Sequence, residues 1–220
     1  MKVLVFDTET TGLPTDRNAS ILDTKKWPYI VQLSYILYDT TTKTIISCSD
    51  NIIKVPDDVE ISKESTSIHH ITRDLCNEKG ISIQEAIDKF NECLLKCNIV
   101  IGHNISFDKR MMMVECIRNK KTQYFTTKGV RKSEYCTMKN TVDICKIPVI
   151  NKDGEQYFKY PKLSELHDNL FNVIPEGLHN AMADVLICLR CYVYMIHKHD
   201  ITIDSCELLI DMYNIYCLSS

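Results

Sequence analysis

The run Val3-Leu4-Val5-Phe6-Asp7-Thr8-Glu9-Thr10-Thr11-Gly12-Leu13-Pro14 decides how the rest of the chain is read. Four consecutive apolar residues leading to a Thr/Gly/Pro turn predict a strand buried on both faces. Such a strand needs helices on either side of its sheet. Asp7 and Glu9 end the strand two residues apart, and side chains at i and i+2 share a face, so both carboxylates enter one space. Two acids placed there repel each other unless a cation lies between them. An isolated Asp-x-Glu would be an ordinary solvated strand end. The Thr10-Thr11-Gly12 turn favours a site instead, because small residues let backbone approach a ligand closely.

Outward from this strand, strands and helices alternate. Residues 30–38, 44–48 and 52–56 read as further strands of an antiparallel set, and 98–102 as a short central strand. Ile83, Ile87, Phe90 and Leu94 have helical spacing within 83–97. Helices are also expected over about 106–117 and 181–197, the latter apolar nearly all round and so packed on the sheet. The polar, basic stretch 119–139 reads as a mobile loop or insertion. The fold class is α/β, with a mixed central β-sheet flanked by α-helices.

Two more acidic clusters fall at element ends. His103-Asn104-Ile105-Ser106-Phe107-Asp108 follows the central strand, and in α/β sheets ligands bind outside the carboxyl ends of strands. Phe107 is expected to anchor its helix in the core while Asp108 faces the crevice; alone, Asp108 reads better as a first-turn helix acid. In His179-Asn180-Ala181-Met182-Ala183-Asp184, a helix begins near Asn180 and leaves His179 just outside, free to swing. Asp184, beside Met182, Val185 and Leu186, needs either a base or a metal.

Asp-x-Glu-Thr-Thr-Gly at 7–12, His-Asn-x-x-Phe-Asp at 103–108 and His-Asn-Ala-x-x-Asp at 179–184 together resemble the three motifs of the DEDDh exonucleases. These are the DnaQ-like, ribonuclease T-like 3′→5′ exonucleases. The resemblance runs from residue 2 to about 195. Ile68-His69-His70-Ile71-Thr72 is similar to the family's His-Gly-Ile-Thr turn, with His70 where glycine is usual. Residues 161–166 resemble the short helix before the third motif.

The resemblance implies a ribonuclease H-like fold and a site in which Asp7, Glu9, Asp108 and Asp184 hold two divalent cations, Mg²⁺ with Mn²⁺ able to substitute. Asp7 would bridge them. Hard oxygen donors with no cysteine in the set suit such ions. His179 would take the proton of the attacking water, as an imidazole can near neutral pH. Thr8, Thr10 and Thr11 would approach the terminal sugar, and Leu13 would wedge against the last base. Asn104 would order its turn or, less favoured, touch substrate. The implied partners are nucleic acid 3′ ends, single-stranded DNA before RNA, with nucleoside 5′-monophosphates as products. A non-catalytic nucleic-acid-binding or polymerase-associated module is the alternative; lost acids would mark it, and none is lost.

Composition limits the remaining classes. The 220 residues are 45% hydrophobic and 25% charged, as in soluble globular domains. No apolar run reaches the ~18–20 residues of a membrane span, and Asp7 interrupts the N-terminus too early for a signal peptide. A cytoplasmic or nuclear protein with no membrane partner is expected. The 11 cysteines are odd in number, and Cys93-x3-Cys97 and Cys188-x2-Cys191 complete no zinc site, which argues against a metal or redox module. The formal charge of −3 argues against bulk attraction to nucleic acid, but two bound divalent ions would carry it to +1. Between Lys109 and Lys139 nine basic residues face two acids, and this run is expected to flank the cleft, with Tyr124 and Phe125 free to stack on bases. The tail, 206–216, reads as an amphipathic helix packed on its own domain rather than on a second copy or a polymerase. A single exonuclease domain over 1–220 is expected, with a core of about 1–197 and a helical extension of about 204–217.

Overall fold

The computed structural model describes residues 1–218. In chain order it contains β1 (Lys2–Thr10), β2 (Ile30–Asp39), β3 (Thr44–Ile52), α1 (Lys63–His69), α2 (Arg73–Lys79), α3 (Ile83–Lys96), β4 (Ile99–Gly102) and α4 (Ile105–Arg118). There follow β5 (Thr126–Thr127), β6 (Val130–Arg131), β7 (Ser133–Cys136), α5 (Thr137–Asn140), α6 (Val142–Cys145), β8 (Pro148–Ile150), β9 (Gln156–Phe158), α7 (Leu163–Phe171), α8 (Ala181–His197) and α9 (Glu207–Cys217). The main sheet has the order β3-β2-β1-β4-β7. β1 pairs antiparallel with β2 and parallel with β4, so the sheet is mixed as expected.

Alternation along β1 divides the interior in two. Leu4 and Phe6 pack with Phe90, Met111 and Phe125 beneath α3 and α4. Val3 and Val5 pack with Ile36, Leu186, Leu189 and Tyr213 beneath α8 and α9. Both faces of β1 are covered, which is why Val3–Phe6 carries no polar residue. The α8 bounds agree with the sequence reading, and Asn180 caps the helix by accepting from the Met182 and Ala183 amides. α9 docks on α8 through buried Leu209, Tyr213 and Cys217. All 11 cysteines are free, and Cys188 and Cys191 are buried packing residues. Among the described residues no helix is long and apolar enough to cross a membrane.

Three expectations fail. Residues 52–56 are not a strand: β3 ends at Ile52, and Ile53 makes only an isolated bridge to Ile81. The stretch 119–139 is ordered, and supplies the hairpin β5–β6 and the fifth sheet strand, β7. Phe125 is 2% exposed and touches the Phe6 and Phe90 rings, so it is core and cannot stack on a base. His70 adopts the left-handed conformation (φ 60°) at the C-cap of α1, so histidine here takes the backbone shape that glycine takes more cheaply.

Candidate active site

Asp7 and Glu9 continue the row of Val3 and Val5 and so face the α8 side of the sheet, whereas Thr8 continues the row of Leu4 and Phe6. Asp184 lies in the first turn of α8 on that same side. Carboxylate oxygens of Asp7, Glu9 and Asp184 all fall within 4.8 Å of one another. Asp108 reaches the same strand end from α4 and is 3% exposed. Its Oδ1 accepts from the Thr8 hydroxyl at 2.7 Å and the Thr8 amide at 3.1 Å. Thr8 is thus a clamp for Asp108. Thr8→Val should remove one hydrogen bond to a buried carboxyl, at about 1–3 kcal/mol. Thermal melting reads this as roughly 2–4 °C for each kcal/mol.

The four acids strain the electrostatics. Burial, then Asp108, Asp184 and Glu9, push the Asp7 carboxyl well above its usual range. Burial and the Asp184 and Asp108 charges raise Glu9 to about 8. Burial raises Asp108 to about 7 against the Thr8 hydrogen bonds, and Asp184 to about 7 against the bond from the His179 amide. Among the described residues no ion pair engages any of the four. Converging, uncompensated, hard oxygen donors are what a divalent cation requires, so the residues fit the expected metal.

His179 sits outside α8 with φ 68° and donates its amide to Asp184 Oδ2 at 3.2 Å, while its exposed ring makes no hydrogen bond among the described residues. Its loop is held from behind by the tail helix. The Glu176 amide donates to the Cys217 carbonyl at 3.1 Å, and a Cβ on Gly177 (φ +67°) would lie 2.1 Å from the Tyr216 carbonyl oxygen. Tyr216 donates to Asp50, which also accepts from Gln32, and Gln32 Oε1 accepts from the Ala181 amide that opens α8.

A groove of about 440 Å³ runs beside Glu9, walled by Thr8, Thr10, Leu13, Ile68 and Phe107. Leu13 is 82% exposed. Phe107 is only partly buried and forms a wall, while Asp108 is the more buried of the two, the reverse of the sequence expectation. Thr10 bonds the Gly12 carbonyl, and Thr11 exchanges bonds with Tyr29; Thr11 and Asn104 are outside the groove walls. Asn104 takes the left-handed conformation (φ 64°) and orders the turn into α4. A larger hollow of about 600 Å³ touches none of the four acids. Its Arg118 is committed to Glu115 and to the Thr24, Trp27 and Pro28 carbonyls, a structural clamp.

Two histidines have roles the sequence reading left unassigned or general. His69 accepts from the Ile71 amide through Nδ1 and donates to the Thr10 carbonyl through Nε2, bracing the end of β1. His103 donates to the Pro161 carbonyl through Nε2 and bonds Thr137 through Nδ1, and burial lowers it to about 4, so it stays neutral. The basic run does not flank the cleft as a unit. Ser133 pairs with Ile99, and Ile99 with Val3, so Val130–Lys132 lie at the opposite strand end from Asp7, roughly 13 Å along β1 from Val3. Lys109, Lys121 and Lys132 are bound to Glu134, Asp88 and the Cys97 carbonyl.

Known structures share the fold. Escherichia coli exonuclease I in complex with a 5cy-dT13 oligonucleotide superposes with a TM-score of 0.66 at 17% identity, over 97% of this chain and 42% of that one. Its complex with a dA16 oligonucleotide gives 0.65 at 19%, over 88% and 41%. Exonuclease I from Methylocaldum szegediense gives 0.64 at 20%, over 92% and 42%. The chain therefore spans about two fifths of those proteins. The shared fold is the ribonuclease H-like fold. No curated protein matches the chain in sequence. The RNase T family, described as exonuclease, matches residues 4–192, and the chain belongs to this family of exonucleases.

Proposed function

We propose that the chain is a metal-dependent 3′→5′ exonuclease, with residues 1–197 as its core and the tail helix as an extension of the same domain. The observation that carries this is the meeting of Asp7, Glu9 and Asp184, with Asp108 beside them and no cationic side chain paired with them among the described residues. These four would hold two divalent ions, Mg²⁺ or Mn²⁺, with Asp7 shared. Bound ions would polarise the attacking water and neutralise the oxygen charge that develops at phosphorus.

The chain's own residues supply the rest. The His179 ring takes the proton of the water, while its amide, held by Asp184, fixes the loop. The water oxygen bonds to phosphorus, the P–O3′ bond breaks, and the departing 3′ oxygen is protonated, leaving a nucleoside 5′-monophosphate and a chain one residue shorter. Leu13 and Phe107 grip the terminal base in the groove beside Glu9. Single-stranded DNA is the favoured substrate, supported by the dT13 and dA16 oligonucleotides held by the structural relatives. RNA is the alternative.

Incubation with 5′-labelled single-stranded DNA and Mg²⁺ should give a ladder shortened from the 3′ end, abolished by EDTA. His179→Ala should slow it by about 10²–10⁴-fold. Binding without cleavage in any divalent ion would instead identify a non-catalytic module.

A further inference from the structure

The hairpin β8–β9 carries apolar residues that none of the hydrophobic clusters absorbs. Ile150 is 73% exposed and Tyr160, just past β9, 58%; Tyr157 and Phe158 are exposed as well. None of the four belongs to a hydrophobic cluster, and none of the three rings touches another ring among the described residues. Exposed aromatic residues grouped on one hairpin suit an interaction site.

Charge and position narrow the partner. Residues 146–162 carry four lysines against Asp153 and Glu155. Glu155 is bonded by Asn151, and Lys159 pairs with Glu165, which leaves Lys146, Lys152 and Lys162 exposed, the first two on the arm. Interleaved lysines and flat rings suit a phosphate backbone with unstacked bases, since every base has a face to stack. The Lys159 amide closes the hairpin base on the Ile147 carbonyl, and two residues later the Pro161 carbonyl is held by His103, directly after β4. The arm is therefore rooted at the strand ends that carry the acids, and reaches roughly 15 Å from that root.

We propose that β8–β9 is a stacking arm for single-stranded nucleic acid, engaging nucleotides upstream of the 3′ residue held beside Glu9. This rests on the exonuclease reading for its placement but not for its test. Two substrates separate the parts: thymidine 5′-monophosphate p-nitrophenyl ester, which cannot reach the arm, and dT13, which can. The triple variant Tyr157→Ser, Phe158→Ser, Tyr160→Ser should raise KM for dT13 at least tenfold, with kcat and hydrolysis of the ester unchanged. In EDTA, fluorescence anisotropy of labelled dT13 should show the same loss of affinity. Lys146→Gln with Lys152→Gln should weaken binding less and flatten its salt dependence. If the triple variant binds and degrades dT13 like the parent, the arm does not hold nucleic acid, as would follow if it docked a protein. If the parent cleaves neither substrate yet binding falls in the variant, the arm stands and the exonuclease reading falls.

Discussion

Asp7→Asn should eliminate cleavage and, in EDTA, make the protein more stable than its parent. The first effect follows from the position of Asp7, whose oxygen lies within reach of both Glu9 and Asp184 and would be shared between the ions. Loss of several kcal/mol of metal-borne transition-state stabilisation corresponds to a rate fall of about 10³-fold or more. The second follows from burial. Asp7 is enclosed and surrounded by Asp108, Asp184 and Glu9, all of which disfavour its charge. A neutral amide of the same shape relieves that cost, so melting in EDTA at pH 8 should rise by several degrees. Retained activity would overturn the site; a fall in stability would overturn its electrostatics.

Metal-free protein should lose stability as pH rises from about 4 to about 8. The carboxyls of Asp108 and Asp184, at about 7, and Glu9, at about 8, hold protons in the folded chain that the unfolded chain has already released. The folded state binds more protons across this window, so its advantage is present at low pH and is lost as pH climbs through those values. Each tenfold difference in proton affinity is worth about 1.4 kcal/mol. Mutual coupling keeps the contributions from adding, but a drop in Tm of at least about 5 °C is expected. A divalent ion would bind the deprotonated acids, so the stabilisation that added Mg²⁺ or Mn²⁺ gives should grow with pH and cancel the drop. A Tm in EDTA that is flat or rising over this range would show that the acids are not strained.

The sequence revealed most where burial imposed periodicity. The all-round apolar pattern of α8 located it to the residue, and the run Val3–Phe6 exposed the strand that both helical layers cover. β7 was hidden because Ser133 and Glu134 are exposed and the strand has only four residues, so no apolar run marks it. Phe125 looked available because polar neighbours surround it in sequence, whereas in space it fills the gap between Phe6 and Phe90. The acids were legible as motifs, since their type and spacing are the chemistry. The clamps were not: Thr8 holding Asp108, His69 holding Thr10 and the tail helix bracing the His179 loop are relations between distant residues. The His-His-Ile turn at 69–71 carried a trace of the second.

The division of the interior by β1 has one more consequence. Asp184 approaches the strand end from the core under α8 and α9, and Asp108 from the core under α3 and α4. A cation held by both would tie together two units that lie on opposite faces of the sheet. With the ion bound, opening of either unit breaks ligation, so the two become one cooperative block. Without it, the acids repel one another with nothing between them, and the strand end that carries Asp7 is where opening should begin. Occupancy of the site thus sets the grain in which the molecule comes apart.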